Sequence, residues 1–190
     1  MKPARAHLLA ALLALLLPLF TVQAARAADQ IEVQSAYVNV RGGVFELNAR
    51  TIFPLDDQVR AALMAGATIN FDLQAVVDKQ RRYWMNATLV DIILRRELSW
   101  NEVSQRYVVK DIDRGAQDAY AALDEALIAA GVVKDWPVVV EPQLDPDATY
   151  EIRVRAGFRR GRLPNSLRAL FFWSDGWNRR SSWYSWILPR

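Results

Sequence analysis

Residues 67–100 read ATINFDLQAVVDKQRRYWMNATLVDIILRRELSW. In the first half Ile69, Phe71, Leu73, Ala75 and Val77 fall at every second position, with Asn70, Asp72, Gln74 and Val76 between them. Successive side chains of a strand point to opposite faces, so this run has one apolar and one mainly polar face. The second half repeats the pattern, with Val90, Ile92, Leu94 and Leu98 set against Asp91, Arg95 and Glu97. The segment between, Asp78 to Ala87, is basic and aromatic and reads as a long hairpin tip. Two such strands predict a central antiparallel hairpin with one face on a core.

Similar alternation recurs outward from this hairpin. Ile31 to Val40 and Phe45 to Phe53 form a predicted hairpin turned at Arg41-Gly42-Gly43, since glycine accepts the positive φ of a tight turn. Asp56 and Asp57 open a short helix through Val59, Ala62 and Leu63 that closes at Gly66, and helix capping explains the paired acids. Arg106 to Ile112 is a further strand. Asp111 to Gly115 has the start of a calcium loop but lacks its later oxygen ligands, and reads as a plain turn. A helix is predicted from Asp118 to Gly131, then a short strand over Val138–Val140. Tyr150, Ile152, Val154, Ala156 and Phe158 alternate with Glu151, Arg153, Arg155 and Arg159. Leu163 opens a last short helix through Phe171 or Phe172. The predicted fold is therefore α+β, mainly antiparallel sheet, sandwich-like or as one curved sheet, with two or three short helices.

The amino terminus has the form of a signal peptide over residues 1–27. Lys2 and Arg5 precede an apolar run from Leu8 to Phe20, and Ala25-Arg26-Ala27 offers small residues for cleavage. The run is short for a membrane span, which needs about 20 residues, and Pro18 interrupts it. Residues 28–190 are then expected as one exported, periplasmic domain. Lys2, Arg5 and Arg26 are three of the 24 basic residues, against 21 acidic residues that all follow the signal. The remaining chain is thus neutral, which removes the electrostatic motive for nucleic-acid binding.

The only histidine, His7, belongs to the signal, and the sequence contains no cysteine. Residues 28–190 therefore cannot build Ser-His-Asp or Cys-His catalysis, nor a zinc or haem site ligated by those residues. No cofactor is expected. Carboxylates remain available, in pairs such as Asp145 with Asp147 or Glu97 with Glu102. A carboxylate hydrolase would need two acids facing one cleft about 5–10 Å apart.

Two groups stand out as interaction candidates. Arg153, Arg155 and Arg159 share one strand face, and with Arg81, Arg82, Arg95 and Arg96 could bind phosphate or carboxylate. Pairing with acids such as Glu97 and Glu151 on a solvated sheet face is the other explanation, and the zero net charge favours it. The tail carries Trp173, Trp177, Trp183, Tyr184 and Trp186. It can pack over an open end of the sheet, form a partner hot spot, or touch a bilayer interface.

The ending LPNSLRALFFWSDGWNRRSSWYSW, the basic-aromatic tip RRYW at Arg81 to Trp84 and the run LRRELSWNEVSQRYVV at Leu94 to Val109 resemble a bacterial family, domain of unknown function 4390. The resemblance covers nearly all of residues 28–190. It implies a bacterial envelope protein whose relatives are often encoded near a nitrogen-regulation-like sensor kinase, hence an envelope or membrane-protein partner. It brings no catalytic residue. The expected function is a non-catalytic binding module, an accessory of such a kinase; the alternative is a carboxylate-based hydrolase of the envelope. The candidate interaction residues are Arg81, Arg82, Trp84, Arg153, Arg155, Trp177, Trp183, Tyr184 and Trp186, with peripheral membrane contact assigned to the Trp-rich tail.

Overall fold

A computed structural model describes residues 30–165 and 178–189. The signal segment, the last predicted helix beyond Asn165, Trp173 and Trp177 lie outside them. In chain order the elements are β1 (Glu32–Arg41), β2 (Val44–Ile52), α1 (Asp57–Met64), β3 (Ile69–Lys79), β4 (Ala87–Asn101), β5 (Arg106–Asp111) and β6 (Gln117–Tyr120). Then follow α2 (Leu123–Gly131), β7 (Val132–Val140), β8 (Tyr150–Arg160), β9 (Asn178–Arg180) and β10 (Tyr184–Ile187).

All strand pairs are antiparallel. One sheet has the order β1-β2-β7; the other runs β10-β8-β3-β4-β5-β6, with β9 also on β8. The predicted central hairpin, β3 with β4, lies inside the larger sheet, with Leu73 opposite Leu94 and Val77 opposite Val90. The predicted apolar face of β3 is buried along its whole length, as are Tyr150, Ile152, Val154, Ala156 and Phe158 of β8. These side chains share one core with Phe45 and Leu47 of β2, Val133 and Val138 of β7, and Val59 and Leu63 of α1. Phe53 meets Phe71 at 4.5 Å between ring centroids, and Phe158 flanks Phe71 at 6.2 Å. The fold is the α+β, mainly antiparallel arrangement that the alternation requires.

Local chemistry sets the boundaries. Gly42 and Gly43 take φ of 57° and 77° in the two-residue turn between β1 and β2. The Asp56 carboxylate accepts a hydrogen bond from the Val59 N–H at 2.8 Å and caps α1. The Asp111 carboxylate accepts from the N–H groups of Asp113 and Arg114, so 111–115 is a turn.

Two elements depart from expectation. The helix begins at Leu123 rather than Asp118, because residues 117–120 pair with β5 as an edge strand. Ladder hydrogen bonds along Tyr107–Lys110 outweigh the capping tendency of Asp118. The strand after it begins at Val132, not Val138, and runs through Asp135-Trp136-Pro137 by means of irregular register against β2. Asp135 takes φ of 47°, and its N–H donates to the Asn48 side chain. Proline is tolerated there because β7 is an edge strand and Pro137 sits beside a register shift.

The passage from α2 into β7 is tight. A Cβ on Gly131 would collide with the Thr51 carbonyl oxygen. Gly131→Ala is expected to cost about 1–3 kcal/mol through overpacking. A urea melt should show the lower midpoint with an unchanged slope.

Candidate functional site

The site is the outer face of the larger sheet, opposite the core. The pairing of β3 with β8 sets Val76 beside Arg153, Gln74 beside Arg155, Asp72 beside Gly157 and Asn70 beside Arg159. The arginines lean diagonally to the acceptors on β3. Nε of Arg153 donates to the buried Asp78 carboxylate at 2.9 Å, which also accepts from the Thr88 hydroxyl at 2.7 Å. Arg159 pairs with Asp72 at 3.2 Å. The acid partners of the ladder are thus aspartates of the neighbouring strand. Glu97 instead accepts from Thr68.

Arg155 differs from its neighbours. Its Nε donates to the neutral Gln74 side chain at 2.8 Å, and Gln74 in turn donates to Asp91 at 2.6 Å. The Trp183 ring lies over it, 4.3 Å from the guanidinium carbon, and over Arg153 at 4.8 Å. Burial lowers the pKa of Arg155 from its ordinary value, the charges of Arg180 and Arg153 act in the same direction, and Asp91 opposes them. Three guanidinium groups therefore gather where Asp78 is the directly paired carboxylate. Among the described residues neither Arg155 nor Arg180 has a carboxylate ion-pair partner.

A bulge puts Trp183 there. Gly157 pairs with Arg180 and Val154 with Tyr184, so the edge strand takes four steps while β8 takes three. The Ala156 N–H donates to the Ser181 hydroxyl, and the Ser181 N–H donates to the Ala156 carbonyl. The extra residue shifts the alternation by one, placing Trp183 on the arginine face and turning Tyr184 and Trp186 to the core side. Gly157 provides the matching space: a Cβ there would press on the Arg180 stem and the Arg179 carbonyl. The result is a small hollow of about 40 Å³ bounded by Asp72, Gln74, Arg155, Arg159, Asn178 and Arg180, in which Asp72 is taken up by Arg159.

At one end of this face stands the tip between β3 and β4. Tyr83, Trp84 and Met85 are 82%, 82% and 90% exposed, so the fold gives their side chains almost no packing. The base of the tip is fixed. Lys79 is tied to Asp145 at 2.7 Å, a contact that raises the lysine pKa, and the Gln80 N–H donates to the Thr149 carbonyl. Trp84, Met85 and Arg153 line one open concavity of about 480 Å³.

The predicted residues thus separate into three groups. Arg153, Arg155 and Trp183 come together on the outer face. Arg81, Arg82 and Trp84 occupy the tip. Tyr184 and Trp186 stack edge to face at 5.7 Å on the other side of the edge strand, where Trp186 packs on the core. Trp177 lies outside the described residues. Trp183 crosses guanidinium groups and does not cover an apolar rim. Arg96 does not belong to the ladder: with Leu94 and Leu98 it points to the core side, and its Nη1 donates to the carbonyls of Ala129, Ala130 and Val132. Arg95 stays outside, against Asp113.

Sequence reasoning missed Gln74, Asp78 and Arg180 as members of the site. The alternation of β3 carried the signal for the first two. Arg180 was hidden by the bulge. The acids Asp145 and Asp147 form a turn, in which the Asp145 carboxylate accepts from the Asp147 N–H. Among the described residues no cluster of three or more His, Cys, Asp or Glu side chains could hold a metal ion. None of the described helices is long and apolar enough to cross a membrane.

These features define a class: an α+β domain, mostly antiparallel sheet, with one face on a shared core and the other open and lined by arginine. The family model for domain of unknown function 4390 matches residues 28–187, and the chain belongs to that family. No curated protein and no solved structure matches the chain.

Proposed function

We propose that this chain is an exported, non-catalytic binding module of the bacterial envelope, and that the outer face around Arg155 recognises an anionic group on its ligand. The observation that carries the reading is the placement of Arg155. A neutral amide and an indole contact its guanidinium and two further cations stand near it, while the nearest acting carboxylate, Asp91, reaches it only through Gln74 and makes no direct ion pair with it among the described residues. A guanidinium fixed in this way loses little freedom when a phosphate or carboxylate docks, so its planar donors are spent on the ligand. The signal-like residues 1–27 support export, and the family resemblance supports a membrane sensor kinase as the partner.

Calorimetry on residues 28–190 with inorganic phosphate, and separately with acetate, tests the anion site. Arg155→Ala and Arg180→Ala should each weaken binding about tenfold or more, because a hydrogen bond to a charged group is worth about 1.5–3 kcal/mol. Equal binding by both variants and the parent would remove the site. Export is tested by the N-terminal sequence of protein recovered from the periplasm, which should begin at Ala28.

A further inference from the structure

We propose that the β3–β4 tip docks this protein on a membrane surface carrying anionic lipid, with Tyr83, Trp84 and Met85 entering the interface and Arg81 and Arg82 meeting the headgroups. Three consecutive large apolar side chains project from a hairpin that is rigid at its base and unpacked at its end. The segment 80–86 contains two arginines and no acid. Asp145, at the base of the tip, is engaged by Lys79 and Asp78 by Arg153 and Thr88, while Glu151 lines the concavity beside Trp84 and Met85.

Tyrosine and tryptophan favour the boundary between hydrocarbon and water, and arginine beside them adds attraction to anionic headgroups. A second feature lies at the same end of the sheet. Thr149 and Tyr150, which meet the tip's base, also line an apolar groove of about 560 Å³ with Val40, Leu144, Ile187 and Pro189. Val40 and Ile187 are 51% and 52% exposed, so the apolar surface at this end extends beyond the tip. A protein partner would be expected to meet its hot spot in a well-packed pocket ringed by further contacts. A protruding tip whose side chains are largely exposed fits an interface that moulds around it.

Co-sedimentation of residues 28–190 with vesicles tests the proposal. The chain should pellet with phosphatidylcholine vesicles containing about a third phosphatidylglycerol, and not with phosphatidylcholine alone. Replacing Arg81 and Arg82 by Ala should weaken partitioning about thirtyfold, at roughly 1 kcal/mol per arginine near the surface. Tyr83→Ser, Trp84→Ser and Met85→Ser together should abolish it. Both variants should melt as the parent does, so lost binding would report the tip and not unfolding. The proposal is overturned if the parent ignores anionic vesicles, if both variants bind as the parent does, or if the tip variants lose a soluble envelope protein while no vesicle is bound.

Discussion

Arg96→Met is expected to lower the melting temperature by about 5 °C. The sequence places arginine at a position of β4 that faces the core, between Leu94 and Leu98. Its guanidinium reaches the end of α2 and donates to Ala129 O at 2.7 Å, Ala130 O at 3.1 Å and Val132 O at 2.7 Å. The last carbonyls of a helix have no partner within it, and a cation there also meets the negative end of the helix dipole. Burial lowers the arginine's pKa, and the charge of Arg114 acts in the same direction while Asp111 opposes it. Methionine preserves the apolar stem and leaves the part-buried carbonyls without this donor, which costs about 1–3 kcal/mol. Arg96→Lys should recover only part of this loss, because one ammonium lacks the planar fork. Thermal melts of the three proteins, with hydrogen exchange at residues 129–132, read the effect. A methionine variant within about 0.5 kcal/mol of the parent would show that water satisfies these carbonyls instead.

Ending the chain before Asn178 should have a still larger effect and give insoluble or aggregated protein. β9 and β10 together cover the edge of β8 from Arg159 to Glu151. Without them the edge presents a long row of unpaired backbone groups, the feature that promotes association between chains. The buried Leu188 is lost, together with the packing of Trp186 on the core. So is the ion pair at 3.0 Å that ties Arg179 to Asp56 at the start of α1. The loss should exceed about 5 kcal/mol, comparable with removing a large core aromatic. Expression of the truncated chain and its elution in gel filtration decide the matter. A soluble, folded monomer with an unchanged melting temperature would show that the tail is an appendage and not part of the sheet.

The fold was legible where two faces differ in polarity. The apolar positions of β3 and β8 recur at every second residue and are buried, although Val76, Asp78 and Gly157 on the other face are buried too, and of β4 only Leu94 and Leu98 are. The capping of α1 and the glycine turn at 42–43 were readable for the same local reason. Reading failed where a tertiary partner outweighed local preference. Residues 117–120 resemble the start of a helix, but an open edge of β5 recruits them. Asp135 and Pro137 resemble a loop, but register irregularity lets β7 carry them.

The candidate site was half legible. Arg153 and Arg155 could be placed on one face from their spacing. That Trp183 covers them while Trp186 joins the core depends on one extra residue between Arg180 and Tyr184, and spacing within the tail carries no sign of it. Arg96 shows the opposite case: its spacing from Leu94 and Leu98 puts it on the core side, a signal that grouping it with the other arginines by charge passes over.

Arg155 is proposed above as a fixed anion receptor. Its most direct test is the Nε–H spectrum of arginine-labelled residues 28–190 during titration with inorganic phosphate. The Arg155 and Arg180 signals should shift together and saturate, while Arg41, on the other sheet, stays in place. A uniform drift of all exposed arginines, or no movement of Arg155, would contradict the account.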